Sequence, residues 1–177
     1  QSLHRSLNTL ILERGYDATT ITDIVTHANV GRSTFYAHHG SKEDLLLSGL
    51  QHLQVALLRQ RSETPAAPVL AFSRVFFEHV HEFRELFLAL GKSSSGPLVM
   101  RRIRRLLADA VRQDLHVVRP AGRADSIPRA IGVQFTVDAL CSVLLSWLEH
   151  NPRLSPAEAD AIFRRLVLSA LASAGIT

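Results

Sequence analysis

The sequence predicts an all-α protein, and three observations lead there. Apolar residues recur at three- and four-residue spacing along most of the 177-residue chain, the period of a helical face. Serine, threonine, proline and glycine stand where such helices would begin and end. Alternating strand-like runs are sparse. Reading stripes and caps in order gives about nine helices.

Leu3, Leu7, Leu10 and Ile11 share one face of a first helix, which Gly15 ends. Thr20 precedes the stripe Ile21, Ile24, Val25, Ala28, and Asp23 completes a capping-box-like start. Asn29 suits the left-handed conformation that closes a helix. Gly31 to His38 makes barely two turns, too short to hold unless docked, and Phe35 is its inward anchor. Ser41 and Asp44 cap a longer helix that runs from Lys42 to about Arg61. Thr64-Pro65 reads as an N-cap with proline in the first turn. Val69 to Leu90 is helical with a break near His79–Phe83, and Lys92–Pro97 is a loop. Leu98 to Leu115 is amphipathic, followed by a loop at Arg119–Arg123. Ile127 to Glu149 forms a long helix, apolar nearly all round from Ala139 and ended by Asn151-Pro152. Ser155, Pro156 and Glu158 open the last helix, which carries Ile162, Phe163, Leu166, Val167, Ala170 and Leu171.

A 46% hydrophobic and 6% aromatic content is that of an ordinary globular protein. The single cysteine, Cys141, leaves no intramolecular disulfide and fits a reducing, cytoplasmic location. No secretory leader pattern is read at the start. The apolar run Ala139–Leu148, flanked by Asp138 and Glu149, falls short of the roughly 20 residues that span a bilayer, so no membrane partner is expected. The net charge of +4 is compatible with nucleic acid. Residues 1–47, however, set Arg5, Arg14, Arg32 and Lys42 against Glu13, Asp17, Asp23, Glu43 and Asp44. The case for DNA therefore rests on a motif rather than on charge.

That motif is the pair of short helices from Thr20 to His38, a helix-turn-helix whose second helix suits a DNA major groove. The stretch resembles the DNA-binding domain of the TetR family of bacterial transcriptional regulators. The resemblance is carried by Gly15-Tyr16, Thr20 through Ala28, Val30, Ser33 through His38, and Ser41 through Leu46. The family usually has phenylalanine after His38, where this chain has His39. The resemblance implies a helix-turn-helix domain over 1–47 and a helical ligand-binding and dimerisation domain over 48–177. It further implies a double-stranded DNA operator, a homodimer through the last two long helices, and a small-molecule effector of unknown identity.

The DNA-facing set is Thr20, Thr22, Arg32, Ser33, Thr34, Tyr36, His38 and Lys42. Thr20 and Lys42 stand at helix starts, where free N–H groups face phosphates. By resemblance, Arg32 and Thr34 face base edges, while Tyr36, His38 and Lys42 reach the backbone. Arginine bonds guanine O6 and N7 in bidentate fashion, which makes Arg32 the expected direct reader. The implied ligand pocket lies between the helices spanning 64–90, 97–117 and 127–149. Its lining is read as Phe76, Phe77, Val80, Phe83, Phe87, Ile103, Leu107, Phe135 and Trp147, with His79, His81, Gln134 and Asp138 as polar contacts. Such a site suits a mostly apolar molecule.

Other clusters read more plainly. Arg101, Arg102, Arg104 and Arg105 interleave with apolar residues and form the solvated face of a helix. Glu78, His79, His81, Glu82 and Glu85 lack the companion ligands a metal needs, so no metal is expected. Nucleophile-elbow, phosphate-loop and zinc signatures are lacking, so neither an enzyme nor a cofactor is expected. The function expected is a DNA-binding repressor released from a palindromic operator by a small apolar ligand. The alternatives are a constitutive DNA binder without an inducer and, more remotely, an all-α enzyme or metal-dependent module that carries a helix-turn-helix.

Overall fold

In the computed structural model, which describes residues 2–63, 68–117, 127–151 and 153–176, the fold is all-helical. Ten helices are found among those residues. They are α1 (Ser2–Arg14), α2 (Ile21–His27), α3 (Arg32–His38), α4 (Lys42–Gly49) and α5 (Gln51–Glu63), then α6 (Phe72–Glu82), α7 (Arg84–Gly91), α8 (Gly96–Val117), α9 (Arg129–His150) and α10 (Pro156–Ser173). The chain divides into two compact units, Gln1–His52 with Phe83–Ile103, and Leu53–Glu82 with Arg104–Thr177.

The first unit is built on α1. Gly15, at φ +85°, ends that helix, and its N–H bonds the Ile11 carbonyl at 2.9 Å. This left-handed geometry is open to glycine at little cost. Leu7, Ile11, Ile24, Phe35 and Leu45 are all buried, and α1 packs on α2 and α4 while α2 packs on α3. α7 also packs on α1. Gly96 opens α8 so close to the end of α7 that a β-carbon there would stand 2.9 Å from the Leu90 carbonyl oxygen.

The second unit packs α10 against both α6 and α9. Its centre is aromatic. Phe77 lies edge-on to Trp147 at 5.5 Å and beside Phe163 at 6.4 Å, with Phe76 5.9 Å away. Offset and edge-to-face contacts of this kind add to what burial alone contributes. The Ser155 capping box on Glu158 forms as the sequence predicts.

Three expectations change. The helix from Lys42 to Arg61 is interrupted at Leu50, beside Gly49, where the Leu50 N–H turns back to Leu47 instead of continuing the i−4 ladder. Helix does not extend through Val69, because Leu70 adopts φ +62° and its N–H donates to the Asp114 carboxylate at 2.7 Å. α6 therefore starts at Phe72. The expected Thr64-Pro65 cap, the Arg119–Arg123 loop and Pro152 lie outside the described residues. α9 is by length and composition apolar enough to cross a membrane, longer than the Ala139–Leu148 run suggests, and half of that stretch is buried inside the protein.

Candidate nucleic-acid interface

α2 begins in a full capping box. The Asp23 N–H donates to the Thr20 hydroxyl at 3.2 Å, and the Thr20 N–H donates to the Asp23 carboxylate at 2.8 Å. Arg14 pairs with the same carboxylate at 3.2 Å. Thr20's bonds, and then Arg14, hold the Asp23 carboxyl below its ordinary range. Asn29 closes α2 in the left-handed region at φ +53°, and the Val30 N–H reaches back to the Val25 carbonyl at 3.0 Å. That two-residue reversal launches α3.

Only Phe35 of α3 is buried, at 0% exposure, while Arg32, Ser33, Thr34, Tyr36 and His38 all face outward. A two-turn helix pinned by one aromatic ring and presenting five polar or aromatic side chains is shaped for an external partner. Tyr36 is 57% exposed although its ring lies edge-on to Phe35 at 5.3 Å. His39 takes the aromatic position that follows. Its ring lies 5.8 Å from Phe35 and 5.7 Å edge-on to His4, and its Nδ1 is 3.8 Å from Asp44. An imidazole thus fills the place of a phenyl ring while gaining a carboxylate neighbour.

The end of the motif is fastened from below. The Lys42 ammonium donates to the carbonyls of Tyr16 at 2.9 Å and Thr19 at 2.7 Å, and stands 4.0 Å above the Tyr16 ring. Tyr16 is buried and its hydroxyl donates to Glu43 at 2.9 Å. Burial first, and then acceptance by Glu43, push its phenol up to about 12, against an opposing bond from Ser95. Beside it, Asp17 accepts from the Ser94 N–H at 3.1 Å and from the Ser94 hydroxyl. These bonds hold the Asp17 carboxyl below its ordinary range. Periodicity could not reveal Asp17, Glu43, Ser94 or Ser95 as parts of the support, because their pairings join segments far apart in the chain.

On the DNA-facing list, Thr20, Thr22, Arg32, Ser33, Thr34, Tyr36 and His38 are exposed and Lys42 is half-buried. The residues read as a ligand lining are less uniform. Phe76, Phe77, Val80, Leu107 and Trp147 are buried within the second unit, and His81 stacks on Trp147 at 6.1 Å. Phe83, Phe87 and Ile103 belong to the first unit. Phe135 is 46% exposed on α9, and Gln134 and Asp138 bond to each other at 2.8 Å on the same exposed side. Arg104 pairs with Asp138, so one member of the arginine cluster serves packing between helices.

Helix, tight reversal, and an outward second helix form a helix-turn-helix of the DNA-binding class. Residues 8–48 match the family described as bacterial regulatory proteins of the tetR family. Over those residues the chain is similar to that family. The HTH-type transcriptional regulator YezE of Bacillus subtilis is 30% identical over 86 residues, 47% of this chain and 44% of its own length, so less than half of that relative is matched. A crystal structure described as a TetR-family transcriptional regulator from Syntrophomonas wolfei superposes with a TM-score of 0.78 at 17% identity, over 97% of this chain and 94% of that one. The TetR-family repressor FadR of Thermus thermophilus, solved with lauroyl-CoA, gives 0.69 at 23% identity, over 94% and 92%. These likenesses establish the fold across both units.

Proposed function

We propose that the protein is a cytoplasmic, dimeric transcriptional repressor that binds a palindromic DNA operator and releases it when a small apolar ligand binds the C-terminal domain. The observation that carries the DNA reading is α3, anchored by Phe35 alone and presenting Arg32, Ser33, Thr34, Tyr36 and His38 outward. In a symmetric dimer two such helices would meet half-sites about 34–36 Å apart or more. Residues 1–47 serve as the DNA-binding domain and 48–177 as the ligand-binding and dimerisation domain.

Support for the dimer comes from apolar side chains left facing water. Ile131, Phe135 and Leu145 on α9 and Leu166 on α10 are between 42% and 59% exposed. Isologous pairing of these helices would bury them. Leu144 and Val167 are not available for that purpose, since both are already buried within their own unit. The ligand reading draws on the apolar, aromatic interior of the second unit. A regulator of the same fold was crystallised with lauroyl-CoA, which makes long-chain acyl thioesters the first class to assay.

The experiment is selection of bound duplexes from a random library, followed by release assays with acyl thioesters and other apolar compounds. Enrichment of an inverted repeat that is released by one compound class supports the proposal. A library without enrichment removes the DNA reading. An enriched repeat that no apolar compound releases leaves the constitutive binder.

A further inference from the structure

The geometry points to Thr22 as a positioning residue that aims Arg32 at a base edge, an inference that rests on the DNA reading of α3. Arg32 is the first residue of α3, and Thr22 lies in the first turn of α2, ten positions earlier. The Arg32 Nη2 donates to the Thr22 hydroxyl oxygen at 2.5 Å. Both side chains are exposed. A long arginine at the start of a short exposed helix has many rotamers, and ordering it only when DNA arrives costs conformational entropy. A bond to a side chain on a second helix settles that choice beforehand.

The chemistry of the partner matters as much as its position. A carboxylate at Thr22 would neutralise the guanidinium and compete with guanine for its donors. The hydroxyl takes one N–H and leaves the charge whole. Guanidinium carries five N–H donors in a planar fork. With one proton of Nη2 given to Thr22, the other Nη2 proton and those of Nη1 remain for O6 and N7 of guanine. The nearest acid in sequence, Asp23, is committed elsewhere, to Thr20 and Arg14. Among the described residues no carboxylate pairs with Arg32. Thr22 therefore acts through Arg32 and not as an independent contact to the backbone.

The test uses the full-length protein and its selected operator. Thr22→Val keeps the shape and removes the acceptor, whereas Thr22→Ser keeps the acceptor. Thr22→Val should cut discrimination against a substitution at the Arg32-dependent base pair by about three- to tenfold, the worth of one hydrogen bond. At a fixed salt concentration random duplex should lose clearly less affinity than the operator does, because backbone neutralisation by charge is unchanged. Thr22→Ser should restore discrimination. In a double-mutant cycle, Thr22→Val should have no further effect once Arg32→Ala is present. Equal losses on operator and random duplex, or additive losses in the double mutant, would overturn the inference and make Thr22 a direct DNA contact. If Arg32→Ala relaxes one base pair but Thr22→Val does not, the positioning role alone is refuted. If Arg32→Ala leaves every base preference intact, the reading of Arg32 as base reader fails, and this inference with it. Thermal melting of the free variants separates both results from loss of fold.

Discussion

Lys42 is expected from the sequence to hold a DNA phosphate, yet its ammonium already spans two carbonyls, so removing it should be felt without any DNA. Lys42→Ala deletes the bonds to Tyr16 at 2.9 Å and Thr19 at 2.7 Å, and the cation 4.0 Å above the Tyr16 ring. Charge-assisted bonds contribute about 1.5 kcal/mol each at the low end. A cation over an aromatic face adds about 0.5–1 kcal/mol. Lys42 is only half-buried, so water will replace part of this, and a net loss of about 1–3 kcal/mol is expected. For a chain of this size that is a fall of about 3–10 °C in Tm. The assay is thermal and urea unfolding of the free protein, followed by operator binding across a salt series. An N–H remains for a phosphate, so the slope of log affinity against log salt should also flatten by about 0.9. A variant that melts with the wild type, while losing that slope, would refute the structural role and return Lys42 to a simple phosphate contact.

Two further outcomes follow from burial and charge. Leu166→Glu and Phe135→Glu should give folded monomers that lose the operator, seen by sedimentation with unchanged circular dichroism. Leu144→Glu should instead unfold the protein, since a charge in the core costs about 4 kcal/mol or more; a Leu166→Glu protein that remains dimeric would refute the interface. Tyr16, raised from 10.0 to about 12 mainly by burial, stabilises the fold fully below pH 10. That contribution should fade between pH 10 and about 12 as the unfolded chain ionises first, and the fall should be absent in Tyr16→Phe when both are followed by urea unfolding.

The helix starts were legible because caps are local. Thr20 with Asp23 and Ser155 with Glu158 form the boxes that their spacing announces. The stop at Leu70 was not, because it depends on Asp114, 44 residues away, accepting a backbone N–H inside the second unit. Nor could the sequence tell that residues 83–103 join the first unit. Beside the packing of α7 on α1, part of the link is polar: Asp17 with Ser94, and Tyr16 with Ser95. Single hydroxyls in a serine run carry no periodicity by which to read such a pairing.

The same limit explains the α9 and α10 faces. A residue step on a helix turns the side chain by about 100°, so Leu144 and Leu145, or Val167 and Leu166, sit on quite different sides while looking alike in sequence. When a helix is apolar nearly all round, composition says that two partners are needed but not which residues serve which. The structure divides them: Leu144 and Val167 are buried within the unit, and Leu145 and Leu166 stay exposed. In the helix-turn-helix the converse holds. There the residue types are informative and the partners are not. Lys42 and Thr22 both belong to the DNA-facing list, yet one braces a turn through two carbonyls and the other holds the Arg32 side chain. Losing either would weaken DNA binding in a simple alanine scan. Only the free protein's stability for Lys42, and the single-base discrimination for Thr22, tell support from contact.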